Sequence, residues 1–488
     1  MARTAMKALR LFTVAVCAAA VVPRVAHRGM FVDGVTYASI ARNLALGRGS
    51  FWSPSYTATV YPRFYEHPPL GFWLQSWWFR IFGDHLFVER LYTVTVAATT
   101  GFLIAVIWRA LGPEVPGAAG RHETEPTRQS QIRPADFDWL PILLWIAVPV
   151  VSWSIVGNLL ETTVSLFTTA ALAASLCAAR DPRDRVAAAW AVLSGLCVVG
   201  AALTKGPVGL FPLVAPCVFV RLRDARRTWT PIAGQWIAVT TCGAILALLP
   251  AARSNMLTYV HQQVLAAIAG DREVSAGSFT ILTTLLQGVW LPMAVVALLS
   301  AAMARRFVTP SRADRDRALC FLVIGLAGTL PILASAKQAG HYLVPAVPAY
   351  AIGVALLIYP TIEERAAWLQ TGAVATAITA VTALLVVGAG AGAFMPGFGR
   401  DRNRLADLDA LASALPRGAT VGICPAVNTD WGLHAWFERL FQVSLEAGEA
   451  TPHDWFLKTN GADCAGATCA PVSEPGRALV LMRCRRGD

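Results

Sequence analysis

Apolar tracts of about 20 residues, separated by short polar segments, run through most of the chain. That length is what an α-helix needs to cross the hydrocarbon core of a bilayer. Because lipid offers no partner for backbone amides and carbonyls, each tract is predicted to be a helix. The pattern predicts about eleven spans, near residues 8–22, 89–109, 138–155, 159–179, 187–204, 207–220, 231–250, 280–303, 318–336, 342–360 and 368–392.

The basic residues between the tracts predict an orientation. Sixteen arginines fall in one set of short segments, whereas the opposite set holds only four Lys or Arg residues. Since the basic side faces the cytoplasm, residues 23–88 and 394–488 are expected outside it. The first tract also has the residue order of a secretory signal peptide, and an uncleaved anchor is the favoured interpretation. We therefore expect an integral inner-membrane protein.

Composition agrees with this architecture. Only 15% of residues are charged and 55% are hydrophobic, with a mean hydropathy of +0.51. A soluble protein has about 25% charged residues. The basic residues that produce the net charge of +11 lie between the apolar tracts and do not form one basic face. This argues against a nucleic-acid partner. Soluble enzymes, disordered chains and nucleic-acid binders are thereby excluded.

Residues 394–488 have a mixed polar and apolar composition and predict a small soluble α/β-type domain. A helix is expected over 402–415, with strands at 420–424 and 478–482. The domain prediction is thus a transmembrane catalytic domain, 1–393, that includes the outer loop 23–88, followed by the soluble domain 394–488.

Four of the ten cysteines lie in the tail, at positions 424, 464, 469 and 484. In an oxidising compartment they permit two disulfides in three possible pairings. The favoured pairing joins Cys464 to Cys469 and Cys424 to Cys484. A zinc site is less expected because the tail has no CxxC pair.

Several ionisable residues fall at the expected outer ends of spans, where they are costly unless paired or placed in a wet cavity. They are Asp33, Glu66, Glu161, Lys205 and Lys337. Together they predict a polar cavity that binds an anion. The alternatives are structural ion pairs, or lysines that extend into the headgroups.

The outer loop 23–88 predicts two helices at the membrane surface. Asp33 is expected to cap the first, which has apolar or small residues at helical spacing and ends at Gly47 or Gly49. The second follows Pro68 and Pro69 and is rich in the aromatic residues of an interfacial belt.

Four motifs in this order resemble those of GT-C membrane glycosyltransferases, and above all the lipid A aminoarabinosyltransferase and protein O-mannosyltransferase families. Asp33 with Tyr37–Arg42 (YASIAR) matches their acid followed by a Tyr-Ala-x-Ile-Ala-Arg helix. Residues 68–74 (PPLGFWL), 203–209 (LTKGPVG) and 337–351 (KQAGHYLVPAVPAYA) match the later elements. The resemblance covers roughly residues 25–355.

The resemblance implies an inverting transfer of a sugar from a polyprenyl-phosphate donor to a hydroxyl-bearing lipid, glycan or protein acceptor outside the cytoplasm. Asp33 matches the catalytic acid and would be the general base. The residues expected to bind substrate are Lys205 and Lys337, which would hold the donor phosphate, together with Tyr342, Glu161, His67 and Tyr37. Glu161 would orient the acceptor or the sugar.

Two positions depart from the aminoarabinosyltransferase pattern. Thr36 stands where those enzymes have an arginine, and His67 stands where they have a lysine. His67 either replaces that cation when protonated or caps the proline turn. The family also implies a divalent metal, for which Glu66 and His261 are the candidate ligands.

Two other classes of function remain open from the sequence. A multi-span transporter or lipid flippase with an ion-paired cavity would be expected to show internal repeats, and none is visible. The other class is a membrane-anchored binding or sensory protein, in which the tail would carry the binding or sensing function.

Overall fold

The computed structural model describes residues 2–111, 134–222, 228–271, 279–304, 308–364, 371–411, 414–448, 453–460, 469–472 and 478–484. The α-helices are α1 (Ala2–Val25), α2 (Val32–Ala45), α3 (Leu70–Phe82), α4 (Val88–Ala110), α5 (Trp139–Ala147), α6 (Pro149–Val156), α7 (Leu160–Arg180), α8 (Asp184–Lys205), α9 (Ala215–Phe219), α10 (Trp229–Leu248), α11 (Pro250–Tyr259), α12 (Ala266–Ala269), α13 (Thr280–Thr284), α14 (Leu291–Ala304), α15 (Arg312–Thr329), α16 (Val347–Glu364), α17 (Gly372–Phe394), α18 (Arg402–Leu411) and α19 (Trp431–Phe441). The strands are β1 (Gly49–Ser50), β2 (Ser53–Pro54), β3 (Thr420–Ile423), β4 (Ser444–Ala447), β5 (Trp455–Thr459), β6 (Cys469–Pro471) and β7 (Leu479–Cys484).

The described part of the chain contains nine helical segments that are long and apolar enough to cross a membrane, or ten if one bent pair is counted. The predicted multi-span helical architecture is therefore confirmed. Two of the eleven expected spans have a different form. Residues 138–155 form the bent pair, whose halves meet at 75° before Pro149.

The tract expected to span at 207–220 is broken. It consists of two 3₁₀ helices, Gly206–Gly209 and Phe211–Val214, followed by the five-residue helix α9. Pro207, Pro212 and Pro216 interrupt it at short intervals. Each proline lacks an amide donor and clashes with the preceding turn, so a continuous α-helix cannot form. Hydropathy alone does not register this interruption.

The described chain divides into two compact units. Unit 1 comprises Met1–Ala26, Thr93–Val156 and Glu161–Met395. Unit 2 comprises His27–Tyr92, Gly157–Leu160 and Pro396–Asp488. The start of the tail at residue 396 adjoins the predicted boundary, while the assignment of catalysis to residues 1–393 stays a prediction.

In unit 1, the first helix is bound to its neighbours by ionic contacts. Arg10 Nε donates to Asp138 Oδ1 at 2.7 Å, and Arg109 Nε donates to Asp138 Oδ2 at 2.9 Å. Met6 and Thr13 on α1 are each only 2% exposed. Helix α1 is therefore an integral part of unit 1.

In unit 2, a five-stranded mixed sheet has the order β4-β3-β5-β7-β6. Strand β3 pairs in parallel with β4 and β5, whereas β7 is antiparallel to β5 and β6. The predicted helix at 402–415 and both predicted strands are present as α18, β3 and β7, and the α/β-type tail is confirmed. Apolar side chains of α2, α18, α19 and the sheet form one core.

The predicted disulfide pairing is wrong. Cys469 is bonded to Cys484, its direct neighbour on the antiparallel strand. Cys424 is also disulfide-bonded, and Cys464 lies outside the described residues. The spacing of the cysteines could not show that β6 and β7 are paired, and this pairing decides which thiols meet.

Helix α2 starts one residue before Asp33, so the prediction that Asp33 is its N-cap is wrong. Phe31 is the N-cap residue, and Asp33 lies in the first turn, where a carboxylate still stabilises the helix dipole. After Ala45 the chain turns at Gly47, whose φ of 77° lies in the left-handed region. Every residue from Val35 to Leu44 except Thr36 is buried.

Candidate functional site

A buried ion pair lies at the end of two spans in unit 1. Glu161 occupies the first turn of α7, and Lys205 is the last residue of α8. Lys205 Nζ is 2.5 Å from Glu161 Oε1, and the two side chains are 6% and 0% exposed. Burying two charges in a membrane protein is costly, so such a pair indicates a functional position.

A glycine fixes the backbone that follows Lys205. Gly206 has a φ of 70°, which ends α8 in the left-handed region. A Cβ atom at this position would lie 2.1 Å from Tyr259 Oη. Tyr259 in turn donates to the carbonyl oxygen of Lys205 at 3.3 Å. The Lys-Gly-Pro motif thus sets the direction of the lysine.

Two residues of the 3₁₀ helix Gly340–Ala346 complete this cluster. His341 Nε2 is 3.4 Å from Glu161 Oε1. The Lys205 ammonium lies 5.3 Å from the centre of the Tyr342 ring, within cation–π distance. His341 packs between Tyr342 and Trp153, with ring-centre distances of 4.7 and 5.6 Å.

Lys337 precedes this 3₁₀ helix and is half-buried. Its charge acts on His341 together with that of Lys205. The structure therefore joins Glu161, Lys205, His341 and Tyr342 in one cluster, while the role of Lys337 at a phosphate stays a prediction.

Only one carboxylate oxygen of Glu161 accepts a hydrogen bond from Lys205. Oε1 accepts from Lys205, whereas Oε2 is buried without a hydrogen-bond partner among the described residues. The cluster thus holds an ammonium group, an imidazole and an acceptor atom that is ready for a further donor. This arrangement can bind a phosphate and a neighbouring hydroxyl.

In unit 2, two consecutive side-chain hydrogen bonds hold the start of α2 in place. Gln75 Nε2 donates to Asn158 Oδ1 at 2.7 Å, and Asn158 Nδ2 donates to the Gly34 carbonyl oxygen at 3.0 Å. A Cβ atom on Gly34 would lie 1.7 Å from the Gly157 oxygen, so only glycine fits beside Asp33. Asp33 itself is half-buried.

The residue that replaces the family's arginine, Thr36, is hydrogen-bonded to Tyr56. Burial raises the pKa of Tyr56 above its usual value, and the charges of Glu438 and Asp33 raise it further. A neutral phenol therefore stands close to the candidate base. Tyr56 could not be predicted from the sequence, because it lies in an irregular segment outside the motifs.

The other two predicted substrate-binding residues of unit 2 bind each other. Tyr37 Oη lies 2.9 Å from His67 Nε2, in hydrogen-bond contact. Tyr37 is 3% exposed and also packs on Phe72. The substrate-binding role of this pair stays a prediction.

The described residues provide no further ligands beside the two predicted for a metal, Glu66 and His261. Glu66 Oε1 accepts from Tyr61 Oη at 3.0 Å, and His261 is an exposed residue of the π-helical segment Val260–Leu265. Within the described ranges, no group of three or more His, Cys, Asp or Glu side chains is placed to hold a metal. These residues do not form the donor set that a divalent cation needs, and no chemical step below uses one.

Comparison with solved structures shows the fold. The chain superposes on ArnT from Cupriavidus metallidurans bound to undecaprenyl phosphate with a TM-score of 0.66, at 14% identity over 97% of each chain. The apo form of the same protein gives 0.60 at 17% identity, again over 97% of each. The GT-C-type membrane fold expected from the motifs, and the likeness to an aminoarabinosyltransferase, are thereby confirmed.

A more remote match is the archaeal oligosaccharyltransferase AglB from Archaeoglobus fulgidus, in complex with an inhibitory peptide and a dolichol-phosphate. Its TM-score is 0.46 at 12% identity, over 93% of this chain and 69% of that one. No protein-family model and no curated protein sequence matches the chain.

Proposed function

We propose that the chain is a membrane glycosyltransferase that moves a sugar from a polyprenyl-phosphate donor to a hydroxyl-bearing acceptor on the outer side of the inner membrane. The observation that carries the proposal is the cluster around Lys205, in which the buried ammonium group meets the half-buried rings of His341 and Tyr342 at the ends of spans. The fold supports it, because the ArnT structure of the same architecture holds undecaprenyl phosphate.

A lipid-linked donor suits a site of this kind. Nucleotide sugars are confined to the cytoplasm, whereas a polyprenyl tail brings its phosphate to the membrane surface through the bilayer. Lys205 and Lys337 provide cations for that phosphate, and Tyr342 can donate a hydrogen bond to the same oxygens. This is the reason for assigning these three residues to the donor.

The proposed reaction is a direct displacement. The acceptor oxygen forms a bond to the anomeric carbon while the bond from that carbon to the phosphate oxygen breaks. Asp33 takes the proton of the acceptor hydroxyl, and the polyprenyl phosphate leaves with the electron pair of the broken bond. The lysine ammonium groups stabilise the charge that develops on the leaving phosphate. A single displacement inverts the anomeric carbon.

Glu161 acts in this scheme through Lys205. Its carboxylate fixes the ammonium group by one short ionic hydrogen bond, which leaves the other two N–H donors of Lys205 for the phosphate. The earlier expectation that Glu161 also orients the acceptor or the sugar stays a prediction, supported by its buried Oε2.

The decisive experiment replaces the candidate base. Asp33→Asn is expected to lower sugar transfer at least 10³-fold, in line with the 10²–10⁴-fold that a general base contributes. Transfer is measured by mass spectrometry of envelope glycans and glycolipids from deletion cells that carry each variant. The matched control is Asp409→Asn, an exposed carboxylate of the same unit, which should retain full transfer. Normal glycans with Asp33→Asn would rule out this residue as the base.

The donor site is tested separately by binding. Undecaprenyl phosphate is titrated onto the purified protein and onto its Lys205→Gln and Lys337→Gln variants. Each variant should weaken binding about tenfold, since each removes one charge-assisted hydrogen bond worth about 1.5 kcal/mol. Arg183→Gln, an exposed charge outside the cluster, serves as the control. Unchanged affinity in both lysine variants would remove the phosphate assignment.

A further inference from the structure

An arginine of the YASIAR motif makes a buried ionic contact within unit 2. Arg42, on α2, is 1% exposed, and its Nη2 donates to Glu438 Oε1 on α19 at 2.6 Å. Its Nη1 donates to the carbonyl oxygens of Glu438 and Arg439 at 3.0 and 3.1 Å. Asn43 Nδ2 adds a bond to the same Glu438 oxygen at 3.1 Å. Arg42 thus binds both a side chain and the backbone at the end of α19.

The next residue of α19 makes the reciprocal contact. Arg439 Nη1 donates to Asp84 Oδ1 at 2.7 Å, and its Nη2 donates to Glu89 Oε2 at 3.0 Å. The guanidinium also lies 5.3 Å from the centre of the Phe79 ring. Two consecutive tail residues are therefore joined to the first-loop segment by two separate ionic groups.

These contacts are made at a desolvation cost. Burial lowers the pKa of Arg42 to about 10, although Glu438 opposes the change. Burial likewise raises the pKa of Glu438, with Arg42 opposing. A packed hydrophobic contact would hold the two helices without this cost. What an ion pair with backbone hydrogen bonds adds is a defined rotation and register of one helix against the other.

Rotation of α2 matters because of where its acid lies. Arg42 follows Asp33 by nine residues, which places the two side chains about 180° apart around the helix. The tail therefore holds the face of α2 that is opposite to Asp33. At the first turn, Asn158 holds the Gly34 carbonyl. Two attachments near opposite ends of the helix fix the direction of the carboxylate.

We propose that Arg42 and Glu438 are positioning residues for Asp33, so that the C-terminal tail is a permanent part of the unit that carries the base and not an accessory domain. The inference rests on the proposed function for its catalytic consequence, while the mechanical link between α19 and α2 is independent of it. Glu438 has no role at the donor phosphate, whose proposed ligands all belong to unit 1.

The first test measures the link itself. Hydrogen–deuterium exchange of residues 32–45 is compared between the full-length protein and its Glu438→Gln variant, which keeps the shape of the side chain but not its charge. Amide exchange in α2 should rise at least tenfold in the variant. The control is Asp409→Asn, which breaks an exposed ion pair between Arg28 and the same tail and should leave the exchange of α2 unchanged. Equal exchange in Glu438→Gln and the unaltered protein would overturn the inference.

The second test separates positioning from general damage. Glu438→Gln should bind undecaprenyl phosphate within twofold of the unaltered protein, yet lower sugar transfer in complemented cells at least tenfold. Arg42→Lys keeps the charge but not the fork of donors, and it should give an intermediate loss. Binding and transfer that fall together would indicate a folding defect and overturn the positioning role.

The two proposals can fail separately. If Asp33→Asn still transfers sugar while Glu438→Gln loosens α2, the base assignment fails and the link between tail and helix stands. If α2 is unchanged in Glu438→Gln, the positioning role fails whatever Asp33 does.

Discussion

At the scale of single residues, the pairing of Lys205 with Glu161 has a measurable energetic signature. Removing one partner of a buried ion pair leaves an uncompensated charge, which costs about 3–5 kcal/mol. We therefore expect Glu161→Leu to lower the free energy of unfolding by this amount. The double variant Glu161→Leu with Lys205→Met removes both charges and should recover most of the loss. Thermal unfolding in detergent measures both, and equal stability of the single and double variants would contradict the pairing.

A second residue-scale prediction concerns His434 in the tail. Burial lowers the pKa of His434 below its usual value, although the Asn428 carbonyl and Asp430 oppose the shift. Its Nε2 lies 3.1 Å from the Asn428 oxygen, while Nδ1 is buried without a partner among the described residues. Protonation would place an N–H with no acceptor on Nδ1.

Because folding disfavours the protonated form of His434, acid should lower the stability of the folded chain. The unfolded chain takes up the His434 proton near pH 6.5, before the folded chain does, so stability present above that pH is lost as the pH falls. The unfolding temperature of the protein should therefore decrease as the pH falls below about 6.5. His434→Gln should reduce this slope. An identical pH profile in the variant would exclude His434 as its source.

Candidate site residues could be predicted from the sequence where a charged residue lies beside an apolar tract and where a motif matches those of a known family. Lys205, Lys337 and Glu161 stood out because charges are rare at the ends of apolar tracts. His341 lies within a recognised motif, but its contact with Glu161 depends on a 3₁₀ helix that no periodicity indicates. Arg42 had no visible partner, since Glu438 lies 396 residues later in an ordinary amphipathic helix.

At the scale of secondary structure elements, the bent pair 135–156 and the proline-broken segment 206–219 determine how often the chain crosses the membrane. Unit 2 contains both 27–92 and 396–488, and we expect both segments on one side of the membrane, so the chain between them should cross an even number of times. Eight straight segments of the described chain lie between them, so the bent pair 135–156 and the broken segment 206–219 should either both cross or both not cross. The return to unit 2 at residues 157–160, directly after the bent pair, favours crossing. The arginines at 180–185 favour two crossings, because only then do these residues face the cytoplasm.

This topology is tested by cysteine labelling in a background without the six thiols of the spans. A Pro182→Cys variant should react with a membrane-impermeant maleimide only after permeabilisation. Asn403→Cys, on the exposed side of α18, should react in intact cells and serves as the control. Labelling of Pro182→Cys in intact cells would mean that neither irregular segment crosses.

Element prediction succeeded for straight helices and for the first and last tail strands. It failed to show the proline-broken segment, because hydropathy averages over a window in which three prolines hardly register. It also could not show how completely α2 is buried. Arg42 and Asn43 look like a polar face in the sequence, but they are 1% and 2% exposed because α19 covers them.

At the scale of the whole molecule, helix α1 is expected to remain in the mature protein. Cleavage near Ala18–Ala20 would remove Arg10, one of two arginines bound to the buried Asp138, together with the buried Met6 and Thr13. Intact-mass measurement of the purified protein should show a chain that retains α1. A mass that begins after residue 20 would contradict this expectation.

The long sequence separation between Arg42 and Glu438 has a consequence for biosynthesis. At roughly 5–20 residues per second, the ribosome needs about 20–80 s to make the residues that separate them. During this interval the ionic contact of Arg42 is limited to Asp84, because α19 has not yet been made. A chain that stops before α19 lacks the buried pair with Glu438, and we expect it to be degraded faster than the complete chain. The order of synthesis thus delays the burial of α2 until the tail has been made.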